Sequence, residues 1–387
     1  MISEEGGGAW SRMAGMTEEQ DVWGAGARTV VVGLLAESGP RRRMLQKLAQ
    51  ELPGELARHV DANCSWEIRV EEYALPFDEE GNITLMANAQ ELRHQLGCDQ
   101  VVYLTDLPRL IRGKALLADI SVPQEAALIS VPALGLAQYR SMRKTVLRVV
   151  AELSHGPELA SKGQARLIRR GVLRPVKQRP VDREGGETYS ELTGARGYVR
   201  LLLGMVRANQ PWTLVPALSS AMAAAIGTGA FGVFYSGIWA LGNALSPWRL
   251  TAISIAAITI MSAWLIAYNG LWDHPEGIHA RRKRWIYNTS TLLTVAMAVS
   301  LMYAALFMVI LLGALTVIAG DYLQTQLQLS QVSFVNYVKL AWLASSMGTI
   351  AGALGSSWDS DRAVRQATYS RREYERRAQT SKDWNEQ

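Results

Sequence analysis

Cysteine and histidine are scarce, two and five in 387 residues. Cys64 and Cys98 show no CxxC spacing, so neither a disulfide framework nor a thiolate zinc site is written into the chain. Both read as reduced thiols. The turn after the first strand-like run is neither GxxxxGK nor GxGxxG, which removes the two common phosphate-binding loops from that position. The N-terminal stretch lacks an apolar core behind a basic start, so Met1 to Arg28 reads as disordered rather than as a signal peptide. What is missing most plainly is charge. No Asp, Glu, Lys or Arg occurs in 208–248, 250–272, 285–320 or 340–358.

A bilayer core about 30 Å thick takes roughly 20 apolar residues per helix, and only helices satisfy their own backbone there. The economical reading is four spans, Trp212 to Leu241, Leu250 to Leu271, Asn288 to Ala319 and Tyr337 to Gly355. Loop charge fixes their direction. Arg196, Arg200 and Arg207 precede the first span, Arg281, Arg282, Lys283 and Arg284 lie between the second and third, and Arg362, Arg365, Arg371, Arg372, Arg376, Arg377 and Lys382 follow the fourth. Those fourteen cations fall on one side, against Arg249 and Lys339 on the other, which the positive-inside rule reads as a cytoplasmic face holding both termini. Trp212, Trp248, Trp272, Trp285 and Trp358 mark span ends, where indole rings prefer the headgroup zone.

Ala344, Gly348, Gly352 and Ser356 recur at four-residue spacing, a small-residue stripe for close helix packing within the bundle or across a homo-oligomer seam. No ionisable group lies inside a span, which argues against ion or proton transport. Asn243, Asn269, Asn288, Thr289 and Ser262 are the available polar groups. Net charge is +5 and the isoelectric point about 9.2, largely from the juxtamembrane cations. Anionic membrane lipids are the partner that balance implies; nucleic acid is not, because no binding module accompanies the charge.

The head is read as residues 29–158. Thr29 to Leu35 and Val101 to Thr105 are continuous apolar runs expected as strands buried on both faces. Trp66 to Glu71 alternates as an edge strand does. Helices are expected from Pro40 to Pro53, Thr84 to Leu96 with Gly97 closing it, and Tyr139 to His155. The last buries Val146, Val149, Val150 and Leu153 and exposes Arg140, Lys144, Arg148 and Glu152. Ala115 to Ser121 and Ala126 to Val131 form an antiparallel pair. The whole is a three-layer α/β domain with a mixed sheet, followed by an all-α four-helix transmembrane bundle. Residues 159–187 read as a basic linker, Glu191 to Ala208 as an amphipathic helix feeding the first span, and 359–387 as a basic tail.

Three places carry candidate chemistry. Ser38, Gly39 and Pro40 followed by Arg41, Arg42 and Arg43 join a strand to a helix at the carboxyl edge of the sheet. A helix start attracts anions, and three arginines there oppose the helix dipole unless an anion sits among them. The alternative is a solvated turn. Asp106 and Asp119 form a possible pair near the same edge for a cation or for acid and base work, against simple loop capping. Asp273, His274, Glu276 and His279 share a loop that Pro275 and Gly277 leave without fixed metal geometry. No metal and no cofactor is expected.

Residues 99–155, with Tyr103-Leu104-Thr105-Asp106, a strand pair and a helix ending Ala151-Glu152-Leu153-Ser154-His155, resemble the metzincin-type arrangement of the archaemetzincins. In that resemblance Glu152 stands at the general base and His155 at the second zinc ligand. Ala151, Glu158 and Ser161 occupy the positions of the first ligand, the later glycine and the third ligand, so one ligand of three is kept and zinc would not be held. The layout as a whole, with Trp264-Leu265-Ile266, Gly270-Leu271-Trp272, Tyr287-Asn288-Thr289-Ser290-Thr291 and Gly352-Ala353-Leu354-Gly355 at span ends, resembles a group of uncharacterised actinobacterial membrane proteins. That resemblance implies no activity. The expected function is a non-enzymatic membrane-tethered head that binds a protein partner or small anion, with an enzyme at the sheet edge or a transporter as alternatives.

Overall fold

The structure is a computed structural model that describes residues 28–37, 42–77, 83–111, 114–168, 176–180, 187–272, 280–359, 364–365 and 368–369. β1 (Thr29–Ala36) is the β-branched run, followed by α1 (Arg42–His59), β2 (Ser65–Glu72), α2 (Leu85–Leu96) and β3 (Gln100–Thr105). Short β4 (Arg109–Ile111) precedes β5 (Lys114–Ser121), β6 (Ala126–Ser130), a 3-10 turn (Pro132–Leu134) and α3 (Gln138–Ile168). β7 (Val176–Pro180) and β8 (Glu187–Leu192) complete one sheet in the order β2-β1-β3-β6-β5-β8-β7, with β4 paired on β5. The first four strands of that order are parallel and the later pairings antiparallel, so the sheet is mixed.

Three layers follow from which residues each helix turns inward. Leu45, Leu48, Leu52 and Leu56 of α1 and Met142, Val146, Val149 and Val150 of α3 share a core with Val30, Val32 and Leu34. Leu85 and Leu92 of α2 pack on the opposite face against Leu35, Val101, Tyr103 and Leu128. Pro53 does not end α1; burial of Leu52 and Leu56 holds the helix through the missing N–H to His59. Gly97 closes α2 in the left-handed region at φ 58°, and Gly156 at φ 74° breaks α3 where the sequence places its end.

The linker reading is corrected. β7 and β8 lie inside the basic stretch and its margin, and they extend the sheet past β5; Arg174 and Arg183 fall outside the described residues. A consequence reaches α3. Arg148 and Glu152 are not exposed but buried at 5% and 0%, because β8 covers that flank of the helix. Charge on one helix face signals solvent only when no further strand arrives to cover it.

The C-terminal half is helical: α4 (Gly194–Asn209), α5 (Leu214–Ala217), α6 (Ser219–Phe234), α7 (Ser236–Ala244), α8 (Pro247–Tyr268), α9 (Ala280–Val317), α10 (Gly320–Leu327) and α11 (Phe334–Gly355). α8 and α9 are long and apolar enough to cross a membrane, or three spans are if the pair 194–217 and 219–234, bent by 58°, counts as one. The first expected span is therefore broken, at Leu218 just past Pro216 and again at Tyr235. α11 packs among α6, α8 and α9 and buries Ser345, Ser346 and Thr349, so it is less apolar than a lipid-facing helix. Phe231, Phe234, Ile255 and Leu312 are exposed, an apolar surface too extensive for water contact.

Head and helices share a core. Ile286 and Tyr287, near the start of α9, join the head cluster, and α4 crosses the 3-10 turn so closely that Gly204 has no room for a side chain. At this end Tyr369 donates to the Leu271 carbonyl (2.6 Å), Arg365 to the Asn269 carbonyl (2.9 Å), and the Asp359 carboxylate accepts the Ser220 and Ala221 amides (3.0 and 3.3 Å). At the other end Asn336 and Lys339 bond to Asn243 (2.8 and 3.2 Å).

Candidate functional site

Parallel strands β1 and β3 end side by side, and their carboxyl edge is where an open α/β sheet binds ligands. Here Glu37 fills it. One carboxylate oxygen accepts from Thr105 Oγ1 (3.1 Å) and lies 3.3 Å from the Tyr103 hydroxyl; the other accepts the Asp106 amide (3.1 Å). Thr105 Oγ1 accepts the Leu107 amide (3.1 Å), and Ser130 Oγ donates to the Leu107 carbonyl (2.9 Å). Among the described residues, the Thr105 hydroxyl and the Asp106 amide at this edge are engaged by the chain's own carboxylate.

Ser38, Gly39, Pro40 and Arg41 lie outside the described residues. Arg42 is exposed and faces Glu72 at 3.7 Å, and the side chain of Arg43 is exposed too. Asp106 and Asp119 do not form a pair. Asp119 is level with Leu128 in the sheet register while Asp106 follows Thr105, level with Ser130, and Asp119 holds Arg109 at 3.0 Å. Asp106 instead borders a cavity of about 10 Å³ with Pro108, Asn209, Tyr287, Ser290 and Tyr369, where the sheet edge meets α4, α9 and the tail. That volume admits a single water at most.

The metzincin-like residues separate as well. Glu152 accepts from Thr188 Oγ1 and faces Arg148 across 4.0 Å, and Arg148 donates to Ser190 Oγ. Burial pushes the Arg148 guanidinium below its usual range, opposed by the Glu152 charge. His155 is an exposed side chain 3.3 Å from the Val60 carbonyl. Among the described residues no three of His, Cys, Asp and Glu gather as a metal site, and the loop 273–279 lies outside them. Zinc does not fit: Glu152 is committed to Arg148 and Thr188 rather than to a water.

The small-residue stripe of α11 faces α6. A Cβ on Gly348 would stand 2.5 Å from the Ala225 carbonyl oxygen, one on Gly352 would stand 3.0 Å from that of Ala221, and Ala344 closes on Gly232. Ser356 donates to the Ala353 carbonyl (2.7 Å). The complementary stripe Ala221, Ala225, Gly229 on α6 was legible at the same four-residue spacing and completes the contact. A GxGxxG spacing, Gly227, Gly229 and Gly232, falls inside this helix, where Gly229 and Gly232 admit Ile310 and Ala344 rather than a pyrophosphate.

Sequence reasoning missed Glu37 as the group that plugs the sheet edge, and the glycines of α4. Glu37 was visible as a carboxylate one residue past a buried strand. Cys98 is buried and Cys64 half-buried, and burial pushes both thiols up, which suits inert cysteines. The chain matches no family model, no curated protein and no solved structure.

Proposed function

We propose that this is a non-catalytic membrane protein: a cytoplasmic α/β head held rigidly on a multi-pass helical bundle of the cell membrane, offering its outer surface to a protein partner. The observation that carries this reading is that, among the described residues, Glu37 engages Thr105 and the Asp106 amide at the sheet edge and the cavity beside Asp106 is about 10 Å³. An enzyme needs room for substrate beside its reactive groups. Continuity of the head core with Ile286 and Tyr287 supports coupling of head to membrane rather than a loose tether. The anion alternative rests on Ser38, Gly39 and Arg41 with Arg42, and the Glu72 partner of Arg42 weakens it. A homo-oligomer would use another surface than the α11 stripe, which α6 covers.

The test uses the full chain in detergent. Thermal shift against nucleotides, acyl phosphates and divalent metals is expected to show no stabilisation, while photocrosslinkers on the outer faces of α1 and α2 trap one discrete adduct in native membranes. A shift that Asp106→Asn abolishes would overturn the non-catalytic reading.

A further inference from the structure

We infer that the outer face of α4 is a binding surface for anionic phospholipid headgroups, an inference that rests on the membrane reading above. Arg196, Val199, Leu203 and Arg207 recur at intervals of three, four and four, which places them on one helix face. All four are exposed, with Val199 at 55% and Leu203 at 40%. The opposite face, Gly197, Leu201, Gly204 and Met205, is buried against the head. α4 contains three arginines and no carboxylate, and among the described residues neither Arg196 nor Arg207 has an ion-pair partner. Two apolar side chains between two unneutralised guanidinium groups suit the headgroup layer, where the apolar pair enters the acyl boundary and the cations meet phosphate.

Continuity with the membrane block supplies the rest. α4 runs through exposed Trp212 into α6 with a bend of 58°, so it leaves the line of the span and slants toward the bilayer surface. Its inner face touches Pro132, directly after β6. The helix therefore presents its exposed arginines on one side and packs on the turn after β6 with the other.

The full chain carrying Cys64→Ser is labelled with an environment-sensitive fluorophore at Val199→Cys. A control label sits at Ala62→Cys, at the sheet edge away from the bundle, and another at Leu312→Cys on the exposed side of α9. Each protein is placed in vesicles of phosphatidylcholine alone or with about one quarter phosphatidylglycerol, doped with headgroup or acyl-chain nitroxide lipid. Headgroup quenching at residue 199 is expected to exceed that at residue 62 several-fold, and to rise with phosphatidylglycerol. Arg196→Glu with Arg207→Glu removes the rise. Equal quenching at 199 and 62 overturns the proposal while acyl-chain quenching at 312 keeps the membrane reading intact. Quenching at 199 that ignores phosphatidylglycerol overturns the anionic partner. Loss of quenching at 312 overturns the membrane reading itself.

Discussion

Arg148 and Glu152 show how much a single missing strand changes the meaning of a residue. Periodicity correctly put Val146, Val149 and Val150 on the inner face of α3, and by the same rule left two charges facing out. β8 then covers them, and Thr188 and Ser190 supply the hydrogen bonds that make burial tolerable. Removing one partner strands the other charge in a low dielectric. Glu152→Ala is expected to cost about 3 to 5 kcal/mol, read as the loss in denaturant midpoint of the full chain. Arg148→Met with Glu152→Leu restores most of it. A small loss in the single variant would mean that water reaches the pair. A second residue reports through pH. Burial and the 2.5 Å hydrogen bond to Glu51 push the Tyr139 phenol up to about 12. Because the folded value lies above the unfolded one of about 10, this contribution is complete below pH about 10 and is lost as pH rises toward about 12. Thermal unfolding across that window should fall more steeply in the wild type than in Tyr139→Phe, and parallel slopes would remove the assignment.

Elements were legible where pattern and environment agree. β1, β3, α2 and the β5 and β6 pair fall where apolar runs and the αL glycine put them, since each carries the signal of its burial in its own residues. β7 and β8 were not, because Lys177 and Arg179 give a composition of solvent while the strand is held by ladder bonds that side chains do not report. The breaks in the first span were not legible for the opposite reason: apolarity is continuous through Leu218 and Tyr235, and a helix break leaves no trace in hydropathy. α4 is the element that joins both halves, and its glycine is the place to test it. A Cβ at Gly204 would stand 1.9 Å from the Pro132 carbonyl oxygen, which is backbone and cannot swing away. Overpacking of this kind costs about 1 to 3 kcal/mol or more, so Gly204→Ala is expected to lower the melting temperature and loosen the head from the bundle. Gly227, with nothing within 4 Å, is the matched control. Its alanine variant should be neutral or gain up to about 1 kcal/mol from helix propensity. Equal melting temperatures for the two variants would show that α4 does not press on the turn.

At the scale of the molecule, two ends of the helical half differ in kind. One gathers Arg207, Arg284, Arg365 and the head, knit together by Tyr369, Asp359 and Ile286. The other has Lys339 bonded to the Asn243 carbonyl, and Arg249 over the Trp248 ring. α9, at 38 residues, is about 57 Å long by helical rise, nearly twice the thickness of a bilayer core, which is long enough to cross one and still reach the head. That length explains why Ile286 and Tyr287, apolar and adjoining a span, belong to the head core instead. The odd number of crossings allowed by three apolar spans would separate the head from the tail, yet Tyr369 and Asp106 border one cavity. An even number suits that shared cavity, and it is met by α8 and α9 alone or, if the bent pair and α11 both cross, by four spans. A fluorescent reporter fused after Gln387 is expected to mature in the cytoplasm, and protease added to intact cells should spare the head. An external reporter together with a protected head would break the shared cavity, and with it the docking of sheet edge, α9 and tail.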